Sequence, residues 1–177
     1  MDKYIISGGR RLEGRVRVQT AKNSVLPILA AAVLTDEPVT VLNVPDITDV
    51  RNMVKILGCL GCKAVYCGND IVIDSSSADN CEIPRALAHE LRSSVFLLGS
   101  VISRFRRAKI AYPGGCDIGL RPVDLHLTGL KRLGVKITES NGYINCECEK
   151  LTGNEIMLDC PSVGATENIM LAAVRAE

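Results

Sequence analysis

Residues 22–34 read KNSVLPILAAAVL, residues 92–104 read RSSVFLLGSVISR, and residues 164–176 read GATENIMLAAVRA. Each stretch opens on polar residues and continues as an apolar, Ala- or Gly-containing run of helical length. Aligning Ser24 with Ser94 gives an offset of 70, and aligning Ser24 with Thr166 gives 142. Three helices of one design at regular spacing mean a repeated supersecondary unit, and such units bury their faces against one another.

The repetition extends on both sides of these helices. After the first comes a short strand, PVTVLNVP, and a second helix, TDVRNMVKILGCLGCK. After the second come RAKIAYPGG and RPVDLHLTGLKRLGVK. Leu60-Gly61 matches Leu133-Gly134, each glycine closing its helix as a C-cap. Two hairpins follow, KAVYCGNDIVIDS turning at Gly68-Asn69-Asp70 and KITESNGYINCEC turning at Asn141-Gly142. Upstream, Leu12-x-Gly14 before RVRV parallels Leu151-x-Gly153 before NEIML, which predicts a strand leading each unit. The unit is therefore strand, helix, strand, helix, strand, strand. Two copies are expected complete, with a third represented by its first strand and helix. Because Arg175-Ala176-Glu177 falls within or at the end of that helix with no capping glycine, the expectation is a piece of something longer.

Bulk properties narrow the function classes. A net charge of +1 and 3% aromatic residues offer neither the charge nor the stacking platforms of a nucleic-acid binder. The N-terminus turns polar and basic before any apolar run forms, unlike a secretory signal. The greasiest stretch, residues 25–34, is half a membrane span and contains Pro27. A cytosolic location follows by default, and there the eight cysteines are expected as reduced thiols. Cys59-x-x-Cys62 lacks the second CxxC or His pair that zinc needs, and Cys146 and Cys148 share one face of a strand as small packing residues.

Three places break the packing pattern. Lys22 and Asn23 put a cation and an amide at a helix start, which suits an anion; a capping Asn beside a solvated Lys fits as well. Residues 161–166, PSVGAT, read as a phosphate-friendly nest or as an ordinary N-cap. The third is the connection from strand to second helix. In the first repeat it is LNVPDITDV; in the second it is AYPGGCDIGLRPVDL, longer and glycine-rich. Inserted loops are more often functional than structural. A thiol there, Cys116 beside Asp117 and Arg121, is suited to act as nucleophile or proton donor. No histidine is spaced for a Cys–His pair, and His126, in the helix pattern, is expected to satisfy a local hydrogen bond.

The stretches AKN (21–23), LRSS (91–94), PGGCDIGLRPVDLH (113–126) and SVGAT (162–166) resemble the UDP-N-acetylglucosamine 1-carboxyvinyltransferases, the enolpyruvyl transferases that open peptidoglycan synthesis. The resemblance runs along the whole chain and implies an α+β fold. It consists of βαβαββ units around a pseudo-threefold axis (an inside-out α/β barrel), here incomplete, with the active site between two similar domains. Residues 1–21 would be edge strands of the other domain, and residues 22–177 an incomplete cysteine-loop domain.

By the same resemblance the reaction moves enolpyruvyl from phosphoenolpyruvate to the 3-hydroxyl of UDP-N-acetylglucosamine and releases phosphate. Cys116 would be the catalytic general acid at C3 of phosphoenolpyruvate, and the thiol alkylated by the epoxide fosfomycin. Lys22 would meet the phosphate of phosphoenolpyruvate, Asn23 both substrates, and Arg92 and Arg121 the shared substrate site. Residues Arg121, Pro122, Val123, Asp124 and Leu125 would hold the uridine, and Ser162, Val163 and Gly164 the diphosphate. Two small-molecule substrates are implied, with no cofactor, metal, nucleic acid or membrane. Thr20 stands where glycine is common, and Cys160-Pro161 replaces a Lys-containing pair. The alternatives are the shikimate-pathway enolpyruvyl transferase, which lacks the cysteine loop, and a non-catalytic nucleotide-sugar-binding relative. The chain alone is expected to have no transferase activity.

Overall fold

A computed structural model describes residues 3–18, 20–113 and 123–177. The first repeat comprises α1 (Lys22–Ala31) with a 3₁₀ turn (Ala32–Leu34), β1 (Val39–Val41), α2 (Thr48–Cys59), β2 (Lys63–Cys67) and β3 (Asp70–Asp74). The second comprises β4 (Glu82–Ile83), α3 (Arg85–Glu90), a 3₁₀ turn (Arg92–Val95), α4 (Phe96–Phe105), β5 (Arg107–Ala111), α5 (Asp124–Arg132), β6 (Lys136–Ser140) and β7 (Tyr143–Glu147). The third contributes α6 (Val163–Ala173).

The two sheets have the same plan. One runs β1-β3-β2 and the other β4-β5-β7-β6, so β1, β3 and β2 correspond to β5, β7 and β6. The common three strands are antiparallel, with Val39 opposite Ile73 and Ile110 opposite Ile144. Alternation puts Ile71 and Ile73 of β3, and Ile144 and Cys146 of β7, on the buried face. Gly61 and Gly134 close α2 and α5 at φ of +91° and +88°, in the left-handed conformation that ends a helix cheaply only with glycine.

The first helices of the three repeats, α1, α4 and α6, pack against one another as the inner layer, with α2 against α1 and α5 against α6. Apolar periodicity explains this placement: Val25, Leu26 and Leu29 of α1, and Leu97, Leu98, Val101 and Ile102 of α4, are almost wholly buried. Two glycines set the spacing of the helices. A Cβ on Gly99 would run into the backbone oxygen of Asn168 on α6, and one on Gly129 into the side chain of Ile169. Arg104, at the end of α4, ties the first two repeats together. Its guanidinium donates to the carbonyls of Val33 (2.8 Å), Thr35 (3.1 Å) and Ser75 (2.8 Å) and pairs with Asp36. A cation placed on the last carbonyls of a helix is favourable.

Two expectations are corrected. The strands predicted before the first and third helices are not formed: RVRV and NEIML take no strand conformation, and Val16, Val18 and Met157 are largely exposed. Strand propensity is contextual, and a segment with strand-like residues becomes a strand only beside a partner edge. The second repeat also carries α3, a short polar helix after Pro84 that the apolar pattern did not announce. Among the described residues no helix is long and apolar enough to cross a membrane.

Candidate active site

Offsets of 70 and 142 make Lys22, Arg92 and Gly164 equivalent positions, each at the N-terminal end of one repeat's inner-helix segment. Because the inner helices pack together, those ends gather on one side of the molecule. There Asn23, Leu26, Arg92, Ser93, Phe96, His126, Ser162, Val163, Gly164 and Glu167 line a cleft of about 380 Å³. Four segments far apart in sequence thus meet at one place: the starts of α1 and α6, the 3₁₀ turn before α4, and the first turn of α5.

Helix α1 begins with a local rule broken. Its N-cap is Ala21, which offers no side chain to the free first-turn N–H groups, and its first turn holds no acid. Instead Lys22 places a cation on the positive end of the helix dipole, an arrangement that favours a bound anion. Asn23 is therefore not the cap, and the capping alternative for it is set aside. Lys22 is half-exposed and pairs with Asp49 in the first turn of α2.

At α6 both readings of Ser162 meet. It is the N-cap, its hydroxyl accepting from the Ala165 N–H at 3.2 Å, and it also lines the cleft with Val163 and Gly164. Cys160 and Pro161 lie on an adjoining open groove that shares Ser162, Val163 and Glu167 with the cleft. Burial pushes the Glu167 carboxyl above its usual range.

His126 differs most from expectation. It is buried, and Asn168 of α6 reaches its Nδ1 at 3.1 Å, a contact between residues 42 apart rather than a local bond. Burial first, and the Arg92 cation second, pull the imidazole down to about 4, so it is neutral near pH 7. Sequence reasoning had no signal for this pair, nor for Asp49. Glu167 also went unmarked, although it follows SVGAT directly.

Of the remaining predicted site residues, Val123 is buried at the N-cap of α5, Asp124 is exposed and Leu125 half-buried. None of these three lines the cleft, though they lead directly into His126. Cys116, Arg121 and Pro122 lie outside the described residues. Among the described residues no cluster of His, Cys, Asp or Glu is arranged to hold a metal. Cys62 is buried, raised by desolvation, and accepts from Ser75 at 3.3 Å, while Cys146 is pushed up to about 12 by burial.

The sequence model of the EPSP synthase (3-phosphoshikimate 1-carboxyvinyltransferase) family matches residues 6–177. The chain is 54% identical, over all its 177 residues, to UDP-N-acetylglucosamine 1-carboxyvinyltransferase 2 of Caldanaerobacter subterraneus subsp. tengcongensis, and covers 42% of that protein. It is 46% identical, over its full length, to UDP-N-acetylglucosamine 1-carboxyvinyltransferase of Acinetobacter guillouiae, again covering 42%. The crystal structure of the enolpyruvyl transferase NikO from Streptomyces tendae superposes with a TM-score of 0.78 at 26% identity, over 96% of this chain and 40% of that one. The chain thus spans less than half the length of the relatives it matches.

Proposed function

From the premise that the chain belongs to the EPSP synthase (3-phosphoshikimate 1-carboxyvinyltransferase) family, we propose that it is the N-terminal part of a UDP-N-acetylglucosamine 1-carboxyvinyltransferase. In this reading it contributes one wall of the active site, and residues 1–21 belong with the portion that supplies the other. The whole enzyme transfers enolpyruvyl from phosphoenolpyruvate to the sugar 3-hydroxyl and releases phosphate, the first committed step of peptidoglycan synthesis. What carries the reading is the meeting of Asn23, Arg92 and Ser162 to Gly164, chosen from three separate stretches, in one cleft.

The roles follow from charge and proton balance. Lys22 and Arg92, with the free N–H groups at the start of α1, balance the phosphate and carboxylate of phosphoenolpyruvate. Cys116 gives a proton to C3, which makes C2 electrophilic; the sugar 3-hydroxyl then bonds to C2 through its oxygen as its proton passes to a base on the other wall of the site. Phosphate leaves with the electrons of its C2–O bond as C3 returns a proton to the Cys116 thiolate. Arg121 to Leu125 hold the uridine, and the α6 start, through Ser162, Val163 and Gly164, takes the diphosphate. The 46–54% identity to proteins named for UDP-N-acetylglucosamine supports that acceptor over shikimate 3-phosphate.

Calorimetric titration of the chain with each acceptor tests this assignment. Binding of UDP-N-acetylglucosamine and none of shikimate 3-phosphate is expected; the reverse preference overturns it. Release of phosphate from phosphoenolpyruvate by the 177-residue chain alone would contradict its being one wall of a larger site.

A further inference from the structure

The amide of Asn168 is fully buried between two partners whose chemistry fixes its orientation. The Gly99 backbone N–H approaches its Oδ1 at 2.7 Å, and a backbone N–H can only donate. The amide oxygen therefore faces Gly99 and the NH₂ faces His126, with Nδ2 at 3.1 Å from Nδ1. An NH₂ group has no lone pair to offer, so Nδ1 must be the acceptor. In a neutral imidazole with a bare Nδ1, the proton sits on Nε2.

That Nε2–H has a defined outlook. His126 is 9% exposed, and its opening is onto the cleft shared with Asn23, Arg92 and Ser162. A Cβ placed on Gly164 would sit 3.5 Å from its Cε1 and 3.6 Å from its Nε2, so this edge of the ring faces the first turn of α6. Among the described residues no acceptor lies within hydrogen-bond reach of Nε2. The repeat explains how the ring fits there. Lys22 and Arg92 fill their equivalent positions with long cationic side chains, whereas the third repeat has Gly164, leaving the room that His126 takes. Among the described residues, the charged groups that share the cleft with the ring are Arg92 from the turn before α4, whose charge reaches the imidazole, and Glu167 from α6.

We propose that His126 is a further ligand-contacting residue of this cleft, donating its Nε2–H to a diphosphate oxygen of the nucleotide sugar, and that Asn168 is the positioning residue that holds it in that tautomer. The proposal rests on the nucleotide-sugar reading above. A neutral donor gives a hydrogen bond whose strength does not change across the physiological pH range. Asn168→Asp would reverse the logic: a buried carboxylate accepts from Gly99 and from Nδ1, moving the proton to Nδ1 and raising the ring's basicity.

Two measurements on the intact chain test this. In ¹⁵N spectra, with His89→Gln separating the two histidines, His126 is expected neutral with its proton on Nε2 at pH 7, and in Asn168→Asp to carry a proton on Nδ1. In titrations with UDP-N-acetylglucosamine, His126→Phe is expected to bind about tenfold more weakly, and His126→Gln, which restores an N–H near Nε2, to stay within about threefold of wild type. Wild-type affinity is expected flat between about pH 6 and 8 and pH-dependent in Asn168→Asp. A wild-type ring protonated on Nδ1, or unchanged affinity in His126→Phe, overturns this inference alone. No binding of UDP-N-acetylglucosamine by the wild-type chain overturns the nucleotide-sugar reading together with the acceptor named here.

Discussion

The Lys22 ammonium, at the first residue of α1, rests on the carboxylate of Asp49 in the first turn of α2. A cation at the start of a helix opposes the dipole, and the aspartate supplies the negative charge that this end lacks. In the proposed reaction the phosphate of phosphoenolpyruvate takes that place, so Asp49 competes with the ligand for Lys22. Asp49→Asn is therefore expected to tighten inorganic phosphate binding by up to about fivefold, the range of an exposed ion pair. Weaker phosphate binding on titration would mean that Asp49 aims Lys22 rather than competing for it.

Helix α6 is approached by α4 through Gly99 and by α5 through Gly129, but what each glycine meets is different. The obstacle at Gly99 is Asn168 backbone; at Gly129 it is the flexible end of Ile169. Gly99→Ala is expected to destabilise the chain by about 1–3 kcal/mol or more in urea unfolding, because two helices must separate. Gly129→Ala should cost less, since a rotamer change relieves it. Equal losses would contradict the account of the α4–α6 contact.

His126 gives folding a pH dependence. The unfolded chain takes up its proton near 6.5, while the folded ring resists until about 4. Between those values the unfolded state binds more protons, so stability rises with pH. The contribution is complete above about 6.5 and is lost as pH falls, by about 1.4 kcal/mol per unit and about 3 kcal/mol in all. Urea midpoints between pH 4 and 7 should show this slope in wild type and a flatter one in His126→Gln. Identical slopes would place the imidazole in solvent.

The inner helices could be read from sequence because burial stamps an apolar period on residues such as Leu26, Leu29, Leu97 and Leu98. The hairpins could be read because their turns need particular backbone conformations, as at Asn141-Gly142 with φ of +52° and +76°. RVRV alternates as a strand does and NEIML parallels it after Leu151-x-Gly153, but among the described residues neither has a partner edge, and pairing is what a local sequence pattern cannot supply. The ends of the inner helices were visible as anion-friendly, and the repeat offset already made Lys22, Arg92 and Gly164 equivalent. The His126–Asn168–Gly99 chain was not legible, because it joins three helices through groups with no local signature. Asp49 was hidden for the same reason: its pairing with Lys22 exists only once α2 packs on α1.

The central claim is that Cys116 is the reactive thiol of an enolpyruvyl transferase wall, and fosfomycin probes it directly. Cys62 and Cys146 are buried, and both thiols are raised by burial, whereas Cys59, Cys67 and Cys160 are exposed controls. The decisive measurement is peptide mass spectrometry after treating the chain with fosfomycin in the presence of UDP-N-acetylglucosamine. The account predicts a single adduct on Cys116, faster than on any exposed cysteine. Adducts on Cys59, Cys67 or Cys160 with none on Cys116 would contradict it.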